Sequence, residues 1–199
     1  MPNLPISQLP LATSGQPESL MVIVNYDVVA SGETNSIYFS SLTQQFSGTS
    51  RAWGSFISTS SQYVTSTTTA YSMSADTQTS GNGVTVSSGS SFTVASAGTY
   101  NLQFSAQLES TGGGTTQVMN IWLAINGNNV DNSNTQVVGN SNNGRNVAAW
   151  NFVEPLNAGD FMELKFSVSD VRLGFTYDVP QSSPTRPAIP SVIVTLTQV

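Results

Sequence analysis

The chain has 199 residues, of which only 8% are charged, and its formal net charge is −6. It contains no cysteine and no histidine, which excludes disulfides, thiolate metal sites and catalytic sites built on an imidazole base. Its five basic residues are scattered, so we expect it to bind neither nucleic acid nor a membrane. No segment has the pattern of a signal peptide or the length of a membrane span, so we expect a soluble protein made in a cytoplasm.

The first segment, residues 1–16, combines prolines with a few apolar side chains. Because proline restricts the backbone around it, the segment is predicted to be extended. Two interpretations stay open: a disordered tail, or an arm whose Leu4, Ile6 and Leu9 dock on another subunit or another protein. A proline-stiffened arm loses less conformational entropy on docking, so neither interpretation is preferred.

A β-hairpin is predicted next. Residues 20–26 form a continuous apolar run, and residues 36–39 form the return strand after a turn. Residues 40–46 begin with serines that can cap one helical turn. The composition changes after residue 50, which predicts an N-terminal unit of residues 1–50 and a head domain of residues 51–199.

The head domain carries the pattern of an all-β protein. Its clearest strand is residues 100–108, where apolar and polar side chains alternate without a break. Turn signals separate most of the predicted strands. These strands are residues 53–58, 62–73, 84–86, 91–94, 100–108, 118–125, 137–138, 147–153, 161–168 and 191–198. Many short strands without helical periodicity predict an antiparallel sandwich or barrel.

Two of these strands are apolar on both faces. Trp122 lies on the second face of one strand, and Ile193 lies between two valines on the last strand. In an antiparallel protein such strands indicate a subunit interface on the second face. The alternative is an inner strand covered by a loop. We favour the interface and take Trp122 and Ile193 as its candidate residues.

A long loop is predicted over residues 170–187, and loops of this length are often functional. Its Arg172, Phe175 and Tyr177 are of the types that dominate binding surfaces, and aromatic rings also stack on sugars. They form the candidate contact surface. The alternative is that Phe175 and Tyr177 fold back over the end of the sandwich.

An enzymatic site would have to use the carboxylates, and Asp160 with Glu163 is the pair to consider. Asp160 falls in a turn, however, where aspartate commonly binds its own backbone. The run from Asp131 to Asn134 offers oxygen ligands for calcium, but its spacing does not match a known calcium loop. We therefore expect no catalytic residues, no metal and no cofactor.

Several short motifs occur in a characteristic order. They are Gly98-Thr99-Tyr100, Phe104-Ser105-Ala106-Gln107-Leu108, Ile121-Trp122-Leu123, Asn126-Gly127, Trp150-Asn151-Phe152, Leu156-Asn157-Ala158-Gly159-Asp160 and residues 189–195. Over residues 53–199 this order resembles the tumour-necrosis-factor-like (complement-head-like) jelly-roll domains of bacteriophage virion proteins. Residues 6–46 resemble the short N-terminal attachment unit of phage tail, collar and fibre proteins.

The resemblance implies an antiparallel jelly-roll sandwich that forms a homotrimer, with one sheet facing the threefold axis and the C-terminal strand central in that sheet. It implies a protein of the virion, assembled in the host cytoplasm. The N-terminal unit would bind other virion proteins of the capsid, collar or tail. Because the chain lacks a fibre shaft, a short fibre, spike or capsid decoration is favoured. The alternative is a tail-fibre module that binds a host surface glycan as its receptor.

Overall fold

The computed structural model describes residues 51–113, 116–139 and 144–199, together with the backbone of residues 20–22 and 36–38. The chain divides into two units, Met1–Ser50 and Arg51–Val199. In the first unit, strand β1 (Leu20–Val22) pairs antiparallel with β2 (Ser36–Tyr38).

Other predictions for the first unit fall on residues that are not described. The arm residues Leu4, Ile6 and Leu9 and the helical turn predicted at residues 40–46 lie outside the described residues. Their proposed contacts therefore stay predictions.

The second unit is built from strands, and no helix occurs in the described part of the chain. Most of these strands coincide with the alternating segments of the sequence. In chain order they are β3 (Trp53–Ser58), β4 (Tyr71–Ser72), β5 (Thr77–Asn82), β6 (Val84–Ser87), β7 (Ser91–Val94), β8 (Gly98–Ser110), β9 (Gln117–Ile125), β10 (Asn128–Asn129), β11 (Thr135–Gly139), β12 (Arg145–Leu156), β13 (Phe161–Val168), β14 (Leu173–Phe175), β15 (Gln181–Ser182), β16 (Thr185–Arg186) and β17 (Val192–Gln198).

Apart from β15 and β16, which pair only with each other, the strands of this unit form two antiparallel sheets. In the β8 sheet the order is β12-β8-β17-β3-β5, and β14 also pairs with β8. In the β9 sheet the order is β10-β9-β13-β7-β6, with β11 on β9 and β4 on β13. The long strands β8, β9, β12, β13 and β17 alternate between the two sheets along the chain. The fold is therefore all-β, an antiparallel jelly-roll sandwich, as the sequence predicted.

The core lies between the two sheets. Alternate residues of β8 from Tyr100 to Leu108 are buried, because successive side chains of a strand point to opposite faces. Two aromatic pairs join the sheets: Phe56 lies 5.0 Å from Phe92, and Phe166 lies 4.8 Å from Phe175 between ring centroids. Each such ring is fully or almost fully buried, and burial of one large apolar side chain stabilises the fold by about 1.5–3 kcal/mol.

Residues 62–73 do not form the continuous strand that the sequence predicted. Only an isolated bridge from Gln62 to Phe175 and the two residues of β4 are paired. Between them the Ser66 hydroxyl accepts a hydrogen bond from the Thr68 backbone N–H at 3.2 Å. Such local bonds compete with a strand ladder, which accounts for the difference.

Five short strands occur where none was predicted: β5, β10, β14, β15 and β16. β5 includes Gly81 and Asn82, which the sequence indicated as a turn, and all six of its residues are exposed. β14 and the β15–β16 hairpin lie within the loop predicted over residues 170–187.

Leu164→Ala is predicted to lower the free energy of unfolding by about 2–5 kcal/mol, because Leu164 is fully buried between the sheets. Ser167→Ala, on the outer face of the same strand, is predicted to change it by less than about 0.5 kcal/mol. Chemical denaturation of both variants measures the difference. Equal losses would contradict the placement of the core.

Candidate binding surfaces

The outer surface of the β8 sheet is a broad face of small polar and apolar side chains. Its strands are in register, so that Ile193 of β17 lies opposite Ser105 of β8 on one side and Ile57 of β3 on the other. We call this surface the Ile193 face. It consists of Ala149, Asn151, Val153, Asn101, Gln103, Ser105, Ile193, Thr195, Thr197, Ile57, Ser55 and Trp53.

The Ile193 face contains no charged residue, although it presents large apolar groups. Ile193 and Trp53 are each 39% exposed, and Val153 is 52% exposed. The amides between them are ordered, since Asn151 Nδ2 donates to Asn101 Oδ1 at 3.1 Å. Depletion of charge around exposed apolar side chains is typical of the centre of a protein–protein interface.

Charges lie at one end of this face. Arg145 Nε lies 3.2 Å from Glu109 Oε1, and the guanidinium of Arg145 also pairs with Asp178. The hydrogen bonds from Arg145 hold the pKa of Asp178 below its ordinary value. This cluster of three charged residues links strands β8 and β12 to the chain after β14. It therefore marks the end of the Ile193 face at which charged side chains begin.

Trp122 lies on the opposite side of the sandwich from Ile193. It is half-buried on the outer surface of the β9 sheet, where it lies opposite Lys165 of β13. Its indole Nε1 donates to Asn129 Oδ1 at 2.8 Å. Because the two sheets have separate outer surfaces, a single interface on one sheet can include Ile193 or Trp122 but not both.

The predicted contact surface at Arg172, Phe175 and Tyr177 needs a correction. Phe175 is completely buried and packs against Phe166, so its side chain cannot contact a partner. Tyr177 is half-buried, and its backbone N–H donates to the Ser61 hydroxyl at 3.0 Å. A contact role for Tyr177 and for the exposed Arg172 stays a prediction.

Arg172 is held by Asp170. The backbone N–H and the Nε of Arg172 each donate to Asp170 Oδ1 at 2.9 Å, and the guanidinium also pairs with the second carboxylate oxygen. These bonds hold the pKa of Asp170 at about 2. The turn before β14 therefore depends on an ionised Asp170.

The two carboxylates considered for catalysis, Asp160 and Glu163, both interact with neighbouring residues of the fold. Asp160 accepts hydrogen bonds from Asn126 Nδ2 at 2.8 Å and from the Asn157 backbone N–H at 2.7 Å, and these bonds lower its pKa. Glu163 is almost fully buried and lies 3.3 Å from Lys165 Nζ. A lowered pKa is the opposite of what a general acid needs, so the geometry of Asp160 fits a turn.

The run from Asp131 to Asn134 is a turn in which Ser133 bonds the backbone: its hydroxyl donates to the Val130 carbonyl at 2.7 Å. Within residues 51–113, 116–139 and 144–199, no group of three or more carboxylates is placed to hold a metal ion. Nor does this described part contain a helix long and apolar enough to cross a membrane.

No protein-family model matches the chain, and no curated protein is significantly similar to it in sequence.

Sequence reasoning missed most of the Ile193 face. Ile57 and Trp53 share the outer surface of β3, and this strand is apolar on both faces in the same way as β17. That signal was available in the sequence. Val153 has no comparable signal, because its position depends on the pairing of β12 with β8.

Asp170→Asn is predicted to reduce stability at neutral pH and to change it much less near pH 2. The folded-state pKa of about 2 lies below the ordinary value of about 3.9, so the ionised carboxylate stabilises the fold above pH 4. This contribution is lost as the pH falls towards 2. Thermal unfolding between pH 2 and 7 measures the difference between the variant and the native protein.

Arg172→Gln is the matched control, because it removes the same ion pair from the other side. Because the backbone N–H of residue 172 still donates to Asp170, this variant is predicted to reduce the pH dependence of stability only in part. A constant difference between native and Asp170→Asn protein from pH 2 to pH 7 would contradict the assignment.

Proposed function

We propose that this protein is a non-enzymatic structural component of a bacteriophage virion. It forms a homotrimeric short fibre, spike or capsid decoration. Its N-terminal unit attaches it to the particle, and its jelly-roll head projects outward. The observation that carries the proposal is the charge-free Ile193 face, a surface that suits contact with further copies of the chain.

The position of β17 supports this assembly. The resemblance in sequence implies a trimer in which the C-terminal strand is central in the sheet that faces the threefold axis. β17 is the C-terminal strand, and it lies between β8 and β3 in the middle of the β8 sheet. Ile193 therefore lies on the central strand of the surface that would meet the other subunits.

The proposed interface includes Ile193 and leaves out Trp122. The two residues lie on different sheets, and the β8 sheet combines a central C-terminal strand with a charge-free area of outer surface around that strand. Attachment is assigned to the N-terminal unit, with Leu4, Ile6 and Leu9 as the contacts to other virion proteins.

The alternative function is a host-receptor module that binds a glycan through the head. It was based on the side chains of Arg172, Phe175 and Tyr177, and the burial of Phe175 weakens that particular site. Arg172 and Tyr177 are the two residues of that site that a glycan could still contact.

Ile193→Asp is predicted to convert a trimer into monomers. It places a charge on the central strand of the proposed interface, where the carboxylate would lose its hydration without gaining a partner. Light scattering should give three times the 21.0 kDa chain mass for the native protein and one chain mass for the variant.

Val138→Asp is the matched control, because Val138 is 51% exposed on the β9 sheet. This variant is expected to stay trimeric. A native protein that is monomeric at micromolar concentration would refute the proposal. If Ile193→Asp and Val138→Asp dissociated the trimer equally, the assignment of the interface to the Ile193 face would be refuted.

Removal of residues 1–50 is predicted to leave a folded trimeric head that no longer joins the particle. The core and the Ile193 face both lie within Arg51–Val199. Incorporation of the truncated protein into purified particles, compared with the full chain, measures attachment. Equal incorporation would show that attachment does not depend on the N-terminal unit.

A further inference from the structure

A groove of about 440 Å³ runs along the outer surface of the β9 sheet. Asn120, Trp122 and Ser167 form its floor, and its wall comes from the chain between Asn129 and Asn134. This volume lies within the range of about 300–1,000 Å³ that is typical of small-molecule sites. We propose that the groove binds a neutral saccharide.

The polar lining suits sugar hydroxyl groups. Four carboxamides face the groove, and the Ser167 hydroxyl lies beside them; the carboxamides belong to Asn120, Asn129, Asn132 and Asn134. A carboxamide both donates and accepts hydrogen bonds, as does each hydroxyl of a sugar. The lining residues include no charged side chain, so the groove favours an uncharged ligand.

Trp122 supplies the apolar part of the site. Its ring is half-buried, and the bond from its Nε1 to Asn129 Oδ1 at 2.8 Å fixes the orientation of the ring. An aromatic face packs against the C–H face of a pyranose. Because Asn129 uses its Oδ1 in this bond, its Nδ2 can donate to a ligand hydroxyl.

The wall of the groove is ordered before any ligand binds. The Ser133 hydroxyl donates to the Val130 carbonyl at 2.7 Å and accepts from the Leu123 backbone N–H at 3.1 Å. Asn132 has a φ of 61°, in the left-handed region that asparagine tolerates. These restraints hold the backbone that carries the carboxamides, so binding costs less backbone conformational entropy, which favours affinity.

The charges next to the groove argue against an acidic sugar. Lys165 lies opposite Trp122, but its ammonium lies 3.3 Å from Glu163 Oε2 and 2.7 Å from the Ser72 hydroxyl. A carboxylate on the ligand would have to compete with Glu163 for this cation. The site therefore discriminates in favour of neutral saccharides.

The groove goes beyond the proposed virion function and does not depend on it. All of its lining residues belong to one chain, and they lie on the opposite side of the sandwich from the Ile193 face. A trimer that forms through the Ile193 face leaves the groove accessible. Sugar binding and trimer formation can thus be tested separately.

The test applies the full chain to an array of neutral and sialylated glycans and then titrates the neutral saccharides that bind by calorimetry. We expect binding to at least one neutral glycan, and at least tenfold weaker binding by Trp122→Ala. Tyr63→Ala is the matched control, because Tyr63 is an exposed aromatic residue that lies outside both the groove and the Ile193 face. The affinity of each binding site of this control variant for the saccharide is expected to equal that of the native protein.

Asn132→Gly is the second variant, because glycine keeps the left-handed backbone while the carboxamide is removed. It is expected to weaken binding without a change in thermal unfolding. The proposal is overturned if no neutral glycan binds, if only sialylated glycans bind, or if both groove variants bind as the native protein does. Light scattering on the same samples distinguishes failure of the trimer from failure of the groove.

Discussion

The structure depends on the register of β8 between its two long neighbours. β8 pairs with β12 from Gly98 to Glu109 and with β17 from Tyr100 to Ala106. This register directs Leu102 and the other alternate residues of β8, from Tyr100 to Leu108, into the core. A slip of one residue would turn every one of these side chains outward, so the apolar pattern itself holds the pairing. The same register gives the Ile193 face its composition, because the polar residues of β8 must then lie on the outer surface.

The sequence predicted the fold class because alternation and turn signals are local properties. Strands 53–58, 91–94 and 161–168 have both ends where the sequence placed them. β5 could not be predicted, because all of its residues are exposed and it is defined only by its pairing with β3. β14 could not be predicted for a different reason. It is buried because it pairs with β8, which lies far away in the sequence.

The binding surfaces were predictable only in part. Two-sided apolarity correctly indicated that Trp122 and Ile193 point away from the core, but a local pattern does not reveal which sheet a strand joins. Phe175 could not be assigned for the same reason: of its two interpretations the structure supports folding back over the sandwich, since its ring is buried by a contact across the sheets. Asn129, Asn132 and Asn134 carry the local signature of a turn, whereas Asn120 lies within the predicted strand 118–125. Their convergence around Trp122 follows from the way the chain folds back on β9.

The central claim is that copies of the chain meet on the Ile193 face. The chain lacks cysteine, so a spin label can be attached at one introduced position, either Gln103→Cys on this face or Val138→Cys on the β9 sheet. Double electron–electron resonance then measures the distance between labels on different copies. Labels at position 103 should lie closer together than labels at position 138, by more than the spacing of about 10 Å between packed sheets. A shorter distance at position 138, or no dipolar signal from either label, would contradict the claim.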